Sequence, residues 1–211
     1  MPAAGALAFS IGDFDEDTTE WAAERNPVFG SQENAQNTSD ILRDGLSYWK
    51  YITLAATPGG DDPAYWIRDK TKGLLVEMGA QTVNKKSKQW ITDKIPRLRP
   101  DISSYASFPS GHANHAFGSA TLANLNLDSV SMNATARRTL QAATWTAATG
   151  TAWARVEANK HYPSDVLASA ALAHCLTTFI YDAFLGLSDE CVQVGIVPTD
   201  EGFELQAVWK F

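Results

Sequence analysis

The sequence of 211 residues contains little cysteine and little positive charge. Its two cysteines, Cys175 and Cys191, form no CxxC or Cys/His pattern with zinc-ligand spacing, so we predict two core thiols and no zinc site. A single disulfide stays open for a protein outside the cytoplasm. Seventeen basic residues against 24 acidic ones give a net charge of −7 without any Lys/Arg block, so we expect no nucleic-acid partner.

Long apolar runs are also scarce, and only the stretch 166–187 is long enough to span a bilayer. It contains His174 and Asp182, so we predict a buried core helix with His174 as a core histidine. The N-terminus lacks a basic start and turns acidic from Asp13 onwards, so no signal peptide is predicted. The chain is expected to be cytoplasmic, or a mature form without its leader.

The composition, with 45% hydrophobic and 19% charged residues, is that of a globular domain with a full core. Helical spacing and turn residues predict six helices. They cover about 15–25, a segment that starts near 37–39 and ends before the turn at 58–61, then 62–88, 110–125, 131–154 and 164–187. Gly73 and Gly79 weaken the third helix, and 90–107 reads as irregular. Alternation after Val192 predicts a β-hairpin.

The predicted fold is therefore all-α, a bundle of about six helices with a short C-terminal β-hairpin. The predicted organisation is a flexible arm over 1–14, a helical domain over 15–190 and a hairpin over 191–211 that packs on the helices.

Three short segments carry chemistry: Arg97-Leu98-Arg99-Pro100, then Phe108-Pro109-Ser110-Gly111-His112, then Arg155, His161 and Asp165 with the spacing R-x5-H-x3-D. A helix that begins at Ser110 points free N–H groups and a positive dipole end outwards, which suits an anion, with His112 in its first turn. A capped helix with a surface histidine is the plain alternative.

The third segment places His161 just before a helix that begins near Pro163. Asp165 is expected to bind one imidazole nitrogen and leave the other free as a nucleophile or base. Arg155 offers a bidentate grip on phosphate oxygens. The plain alternative is a helix junction with an ion pair, but the three segments together supply what phosphoryl transfer requires.

These motifs resemble the three signature motifs of the phosphatidic acid phosphatase type 2 superfamily, which bacterial class A acid phosphatases and vanadium haloperoxidases share. The resemblance covers about 88–187 and implies a metal-independent helical enzyme. It implies that His161 is the nucleophile and forms a phosphohistidine, that Asp165 orients it, and that His112 protonates the leaving group. The residues implied to hold the phosphoryl oxygens are Arg99, Arg155 and the backbone of Ser110 and Gly111.

The first motif departs from the family pattern, because Thr92 stands where the family has a lysine. We expect the 90–100 loop to point Thr92 at the phosphate, with Lys94 or Lys88 as possible replacements for the missing cation. His115, one turn after His112, either lines the pocket or packs behind it. The third motif opens with Ala154 where the family often has serine.

The sequence thus predicts a phosphatase acting on a phosphomonoester or on a lipid or polyprenyl (pyro)phosphate. No cofactor is expected, vanadate and phosphate are expected to bind as inhibitors, and contact with a membrane is expected to be peripheral at most, given a mean hydropathy of −0.21. The resemblance implies the periplasm or another site outside the cytoplasm. The alternatives are a vanadate-dependent haloperoxidase, a weakened phosphate-binding module, and a metal hydrolase using His112, His115, His161 and Asp165.

Overall fold

The computed structural model describes residues 13–59, 62–186, 192–199 and 202–209. Its helices are α1 (Phe14–Arg25), α2 (Gln32–Ala56), α3 (Pro63–Lys94), α4 (Gly111–Ser129), α5 (Ala134–Glu157) and α6 (Pro163–Leu185), and its strands are β1 (Val192–Thr199) and β2 (Gly202–Trp209). The predicted all-α bundle is confirmed. The predicted N-terminal arm lies outside the described residues as far as residue 12.

Helix α4 forms the centre of the bundle, because α2, α3, α5 and α6 all pack against it. Its buried side chains lie on every face and are mostly small, including Ala113, Ala116 and Ala120. This pattern is typical of a central helix rather than a surface helix with one apolar stripe. Small residues also allow close approach: a Cβ on Gly118 would lie 3.1 Å from the side chain of Asn84 on α3.

Two helices are longer than the sequence predicts. Helix α2 begins at Gln32, five residues before the predicted cap, because Ser31 accepts a hydrogen bond from the Asn34 N–H at 3.1 Å. Helix α3 continues through Gly73 and Gly79 to Lys94, so the segment predicted to be irregular from residue 90 is helical for another turn. Gly73 is needed for close packing, since a Cβ there would lie 2.6 Å from Leu54.

Helix α6 is less buried than predicted. Its 23 residues are long and apolar enough to cross a membrane. The most apolar stretch of 18 residues has a mean hydropathy of 1.3, and only 33% of it is buried. His174 and Cys175 are both exposed, so the predictions of a core histidine and a core thiol at these positions are wrong. His174 nevertheless contacts α4, since its Nδ1 lies 3.0 Å from the Thr121 hydroxyl. The side chain of Cys191 lies outside the described residues.

The two strands pair antiparallel, with Val192 opposite Trp209 and Thr199 opposite Gly202. This antiparallel pairing of two consecutive strands is the β-hairpin that the sequence predicts after residue 191. Its packing against the helices stays a prediction.

Candidate active site

The loop between α3 and α4 brings the first two motifs together. Its two limbs are joined by backbone hydrogen bonds from Ser107 N–H to the Arg97 carbonyl and from Arg99 N–H to the Ser104 carbonyl, both 3.0 Å long. The loop then ends at Ser110, whose N–H donates to the Asp165 carbonyl at 3.4 Å. The beginning of α4 therefore lies directly against the beginning of α6.

Ser110 caps α4 as predicted. It is fully buried, and its hydroxyl accepts a long hydrogen bond of 3.5 Å from the Ala113 N–H. Gly111 is the first residue of the helix, so free N–H groups of the first turn point out of this end of the helix. This end of the helix favours a negatively charged ligand.

His161 is 2% exposed and is held by the loop rather than directly by Asp165. Its Nδ1 lies 2.8 Å from the Ser107 carbonyl oxygen, whereas Asp165 Oδ2 lies 3.8 Å away. The expected direct bond from Asp165 is therefore replaced by one from a backbone carbonyl. A carbonyl only accepts, so Nδ1 carries the proton and Nε2 keeps its lone pair. Burial, together with the charges of Arg155 and Arg99, lowers the pKa of His161, so the ring is neutral.

Asp165 is fully buried and acts one step behind His161. The Ser107 hydroxyl donates to its Oδ2 at 2.5 Å, Arg97 Nη1 donates to its Oδ1 at 2.9 Å, and the Tyr162 N–H donates to Oδ2 at 2.9 Å. Burial alone would raise the pKa of Asp165, but the nearby His161, the Ser107 hydroxyl and the charge of Arg97 lower it below its usual value. The side chain is therefore a carboxylate that fixes the loop around His161.

Arg97 also connects Asp165 to Asp15 on α1, a contact that the sequence does not predict. Arg97 Nη2 donates to Asp15 Oδ2 at 2.9 Å, and its guanidinium lies 3.9 Å from the centre of the Tyr162 ring. Asp15 is 1% exposed and accepts hydrogen bonds from both the backbone N–H and the hydroxyl of Ser164, so its carboxylate satisfies a free N–H in the first turn of α6. Of the two arginines in the first motif, Arg97 is thus engaged by carboxylates and Arg99 is not.

Neither Arg99 nor Arg155 forms an ion pair with a carboxylate in the described part of the chain. The Nε atom of each is buried and has no hydrogen-bond partner there, and the only side-chain partner of Arg155 is the Ser39 hydroxyl at 3.2 Å. Burial, followed by the charge of Arg99, lowers the pKa of Arg155 to about 10. Two guanidinium groups that repel each other, each with an unused donor, form a site that an oxyanion would satisfy.

His112 points to α2 and contacts two residues that carry no motif. Its Nε2 lies 2.8 Å from Asp40 Oδ1 and 2.6 Å from Arg43 Nη1. Burial, then the charge of Arg155, lowers the pKa of His112 to about 4, against the opposing effect of Asp40. Asp40 and Arg43 are three residues apart on a helix, a spacing that in a sequence indicates only a surface ion pair.

The missing lysine of the first motif has a candidate replacement. Thr92 is buried within α3, and its hydroxyl donates to the Lys88 carbonyl at 3.1 Å, so the expected loop at this position is wrong. Lys88 lies one turn earlier on the same face, and its Cε would be 3.8 Å from a Cβ on Gly111. Burial and the charge of Arg99 lower the pKa of Lys88. Lys94 is exposed and makes no side-chain hydrogen bond or ion pair within the described residues.

His115 contacts α2 and also lines an open groove beside Gly111. Its Nε2 lies 2.9 Å from the Ser47 hydroxyl, and burial lowers its pKa. Across residues 13–59 and 62–186, no three His, Cys, Asp or Glu side chains are grouped to hold a metal ion. The metal-hydrolase alternative therefore has no ligand cluster in this part of the chain.

Comparisons with known proteins show the family to which the chain belongs. A family model described as "PAP2 superfamily" matches residues 63–187, more than half of the chain. A segment of 76 residues is 41% identical to a protein named lipid A 1-phosphatase from Porphyromonas gingivalis, and covers 36% of this chain but only 16% of that protein.

The fold also resembles a solved structure, the first transmembrane PAP2 type phosphatidylglycerolphosphate phosphatase from Bacillus subtilis. The TM-score is 0.60 at 21% sequence identity, over 87% of this chain and 92% of that one. At this identity the likeness supports a shared helical fold.

Proposed function

The chain belongs to the PAP2 superfamily, and on this premise we propose that it is a phosphatase that cleaves a phosphomonoester or the terminal phosphate of a lipid or polyprenyl pyrophosphate. The observation that carries the proposal is the pair of buried, unused Nε donors on Arg99 and Arg155, whose charges both act on His161, a histidine that keeps the lone pair on its Nε2. The donors suit phosphate oxygens and the nitrogen suits attack on phosphorus.

In the proposed mechanism, His161 Nε2 forms a bond to phosphorus while the bond from phosphorus to the leaving oxygen breaks. His112 gives its proton to that oxygen. Water then attacks the phosphohistidine, His112 takes a proton from the water, and orthophosphate leaves. The charge on the phosphoryl oxygens is balanced by Arg99, Arg155 and the N-terminus of α4.

His112 is neutral in the free protein at pH 7, because burial lowers its pKa to about 4. A phosphate next to the ring favours the protonated form, since an opposite charge nearby raises the pKa of a histidine. The substrate therefore provides the condition under which His112 serves as the acid. Neither this step nor the attack by His161 uses a metal ion.

A lipid phosphate is the favoured substrate. The names of both similar proteins include a lipid phosphate, and this chain exposes large apolar side chains on α3 and α6, among them Leu75, Met78, Phe179 and Phe184. Exposed apolar surface of this kind suits contact with a membrane. We place the active site outside the cytoplasm, as the family resemblance implies.

The test is phosphate release by the full chain from p-nitrophenyl phosphate, dioctanoyl phosphatidate and farnesyl pyrophosphate, with and without EDTA. We expect EDTA-resistant turnover with a preference for the lipid substrates. His161→Ala should abolish turnover, and the control His174→Ala, an exposed histidine on α6, should not change it. Loss of activity in EDTA would contradict metal independence.

The covalent step has its own test. Rapid acid-free quenching with ³²P-labelled substrate should trap a protein-bound phosphate that is stable to base and labile to acid, as a phosphoramidate is. The label should be absent in His161→Ala. Bromide oxidation that requires vanadate, in place of phosphate release, would favour the haloperoxidase alternative.

A further inference from the structure

The N-terminus of α4 has closely packed side chains on the side that faces α2 and an open groove on the side that faces α3. On the α2 side, side-chain contacts close the space: His112 contacts Asp40 and Arg43, and His115 contacts Ser47. On the α3 side, an open groove of about 470 Å³ runs along α4 and ends at Gly111. The α3 side therefore has room for the part of a substrate that extends beyond the phosphate.

The chemistry of this groove is cationic and polar. Its lining includes Lys85, Lys88, Gln81, Gln89 and Thr82, and no carboxylate among the described residues lines it, although the chain carries a net charge of −7. Asn114 also lines it, is 4% exposed, and its Nδ2 is buried without a partner in the described part of the protein. An unused buried donor and two cations call for an anionic, oxygen-rich ligand.

A second groove on α3 is apolar, in contrast to the polar and cationic groove at Gly111. It lies nearer the start of the helix, has a volume of about 620 Å³, and is lined chiefly by apolar side chains such as Leu75, Val76, Ile180 and Phe184. The groove at Gly111 is therefore unsuited to an acyl chain, which would leave its lysines and amides unsatisfied.

We propose that the groove between α3 and α4 binds the leaving group of the substrate, and that this leaving group carries hydroxyl groups and a second negative charge. The inference rests on the proposed phosphatase function and narrows its substrate class. Lys88 lies where the groove meets the phosphate site, and Lys85, one turn away on the exposed side, faces the additional charge. A phosphomonoester with a neutral leaving group would use only half of this surface.

Two small probes test the proposal, since 3-phosphoglycerate carries a carboxylate where glycerol 3-phosphate carries a hydroxymethyl group. With both used as racemates, we expect kcat/KM to be about 3- to 10-fold higher for 3-phosphoglycerate, because two partly exposed charge pairs contribute modestly each. The preference should shrink as salt is added. Lys85→Gln should reduce the preference about 2- to 5-fold. The matched control Lys86→Gln, at an exposed lysine outside the groove, should leave it unchanged.

Binding separates this proposal from the phosphatase proposal. The dissociation constants of the two probes are measured by calorimetry on His161→Ala, which keeps the groove but lacks the nucleophile. A preference for 3-phosphoglycerate in binding, without turnover of either probe or of the lipid substrates by the unaltered protein, would support the groove and contradict the phosphatase. Equal affinity for the two probes, or equal effects of Lys85→Gln and Lys86→Gln, would overturn the groove proposal.

Discussion

The Ser107 hydroxyl donates a hydrogen bond of 2.5 Å to Asp165 Oδ2, and both residues are fully buried. The same serine offers its carbonyl oxygen to His161 Nδ1. Ser107 therefore connects the Asp165 carboxylate to His161, the proposed nucleophile, whereas the sequence predicts that Asp165 alone orients this histidine.

Ser107→Ala should lower kcat about 10-fold with little change in KM. The variant keeps the carbonyl that fixes the His161 tautomer but loses a hydrogen bond to a charged acceptor, a contribution of about 1.5–3 kcal/mol. Steady-state kinetics on p-nitrophenyl phosphate measure the effect. Ser103→Ala, at an exposed serine of the same loop, is the control, and equal effects of the two substitutions would contradict the role of Ser107.

Asp15→Asn should lower kcat while leaving KM nearly unchanged, because Asp15 supports Asp165 through Arg97 and caps α6 through Ser164. The loss in the double variant Asp15→Asn/Arg97→Gln should be smaller than the sum of the single losses, since the residues belong to one network. Circular dichroism verifies folding. Asp17→Asn, at an exposed position on α1, is the control, and additive losses would contradict the linkage.

Lys88→Ala should weaken inhibition by vanadate and by orthophosphate by about 10-fold or more, in line with one charged hydrogen bond. Lys94→Ala should leave both inhibition constants unchanged, since Lys94 is exposed at the end of α3. Thr92→Lys should change them less than twofold, because position 92 is buried within the helix. A strong effect at Lys94 with none at Lys88 would reverse the assignment.

The titration of His112 should respond to its two partners on α2 in opposite directions. Removing a nearby cation in Arg43→Gln should raise the pKa of His112 from about 4, whereas removing the carboxylate in Asp40→Asn should lower it further. Histidine NMR signals followed against pH measure both shifts. Shifts in the same direction would show that the two side chains do not act on the ring by their charges.

Glu77, which lies away from the candidate site, should make the stability of the fold depend on pH. It is fully buried, its Oε1 accepts from Asn126 at 2.7 Å, and burial raises its pKa to about 7. Because the folded-state pKa lies above the unfolded-state value, Glu77 stabilises the fold below about pH 4.5, and this contribution is lost as the pH rises through 7. The loss amounts to about 3 kcal/mol.

Urea unfolding between pH 5 and pH 8.5 tests this prediction. In Glu77→Gln the neutral amide keeps an acceptor for Asn126, so the free energy of unfolding should depend less on pH than in the unaltered protein. Glu33→Gln, at an exposed carboxylate, is the control and should follow the unaltered protein. An unchanged pH dependence in Glu77→Gln would contradict the assignment.

Most of the fold follows from local features of the sequence. Helix starts at Ser110 and Pro163 depend on caps and on proline, which act within one turn. The extension of α3 past Gly73 was not predictable from helix propensity, because contacts with α2 override the glycine. The exposure of His174 depends on where α4 lies, which periodicity along α6 does not reveal.

The candidate site likewise contains residues that the sequence predicts and residues that only the tertiary structure brings together. Arg155, His161 and Asp165 are close in sequence, so their spacing predicts their proximity. Asp15 and Asp40 reach their partners across 72 residues or more, and nothing nearby in the sequence distinguishes them from solvated carboxylates. Such partners become visible only once tertiary packing is known.

The hydrogen bond between Asp15 and Ser164 also has a consequence for biosynthesis, because 149 residues of chain separate the two groups. Because a ribosome adds about 5–20 residues per second, Ser164 is synthesised roughly 7 to 30 s after Asp15. Contacts of such long range form late and slowly. A nascent chain that ends before α6 therefore contains Arg99, Arg155 and His161 but lacks Ser164 and Asp165, so the start of α1 has no anchor. The hydrogen bonds that support the loop around His161 therefore form only after the start of α6 has been synthesised.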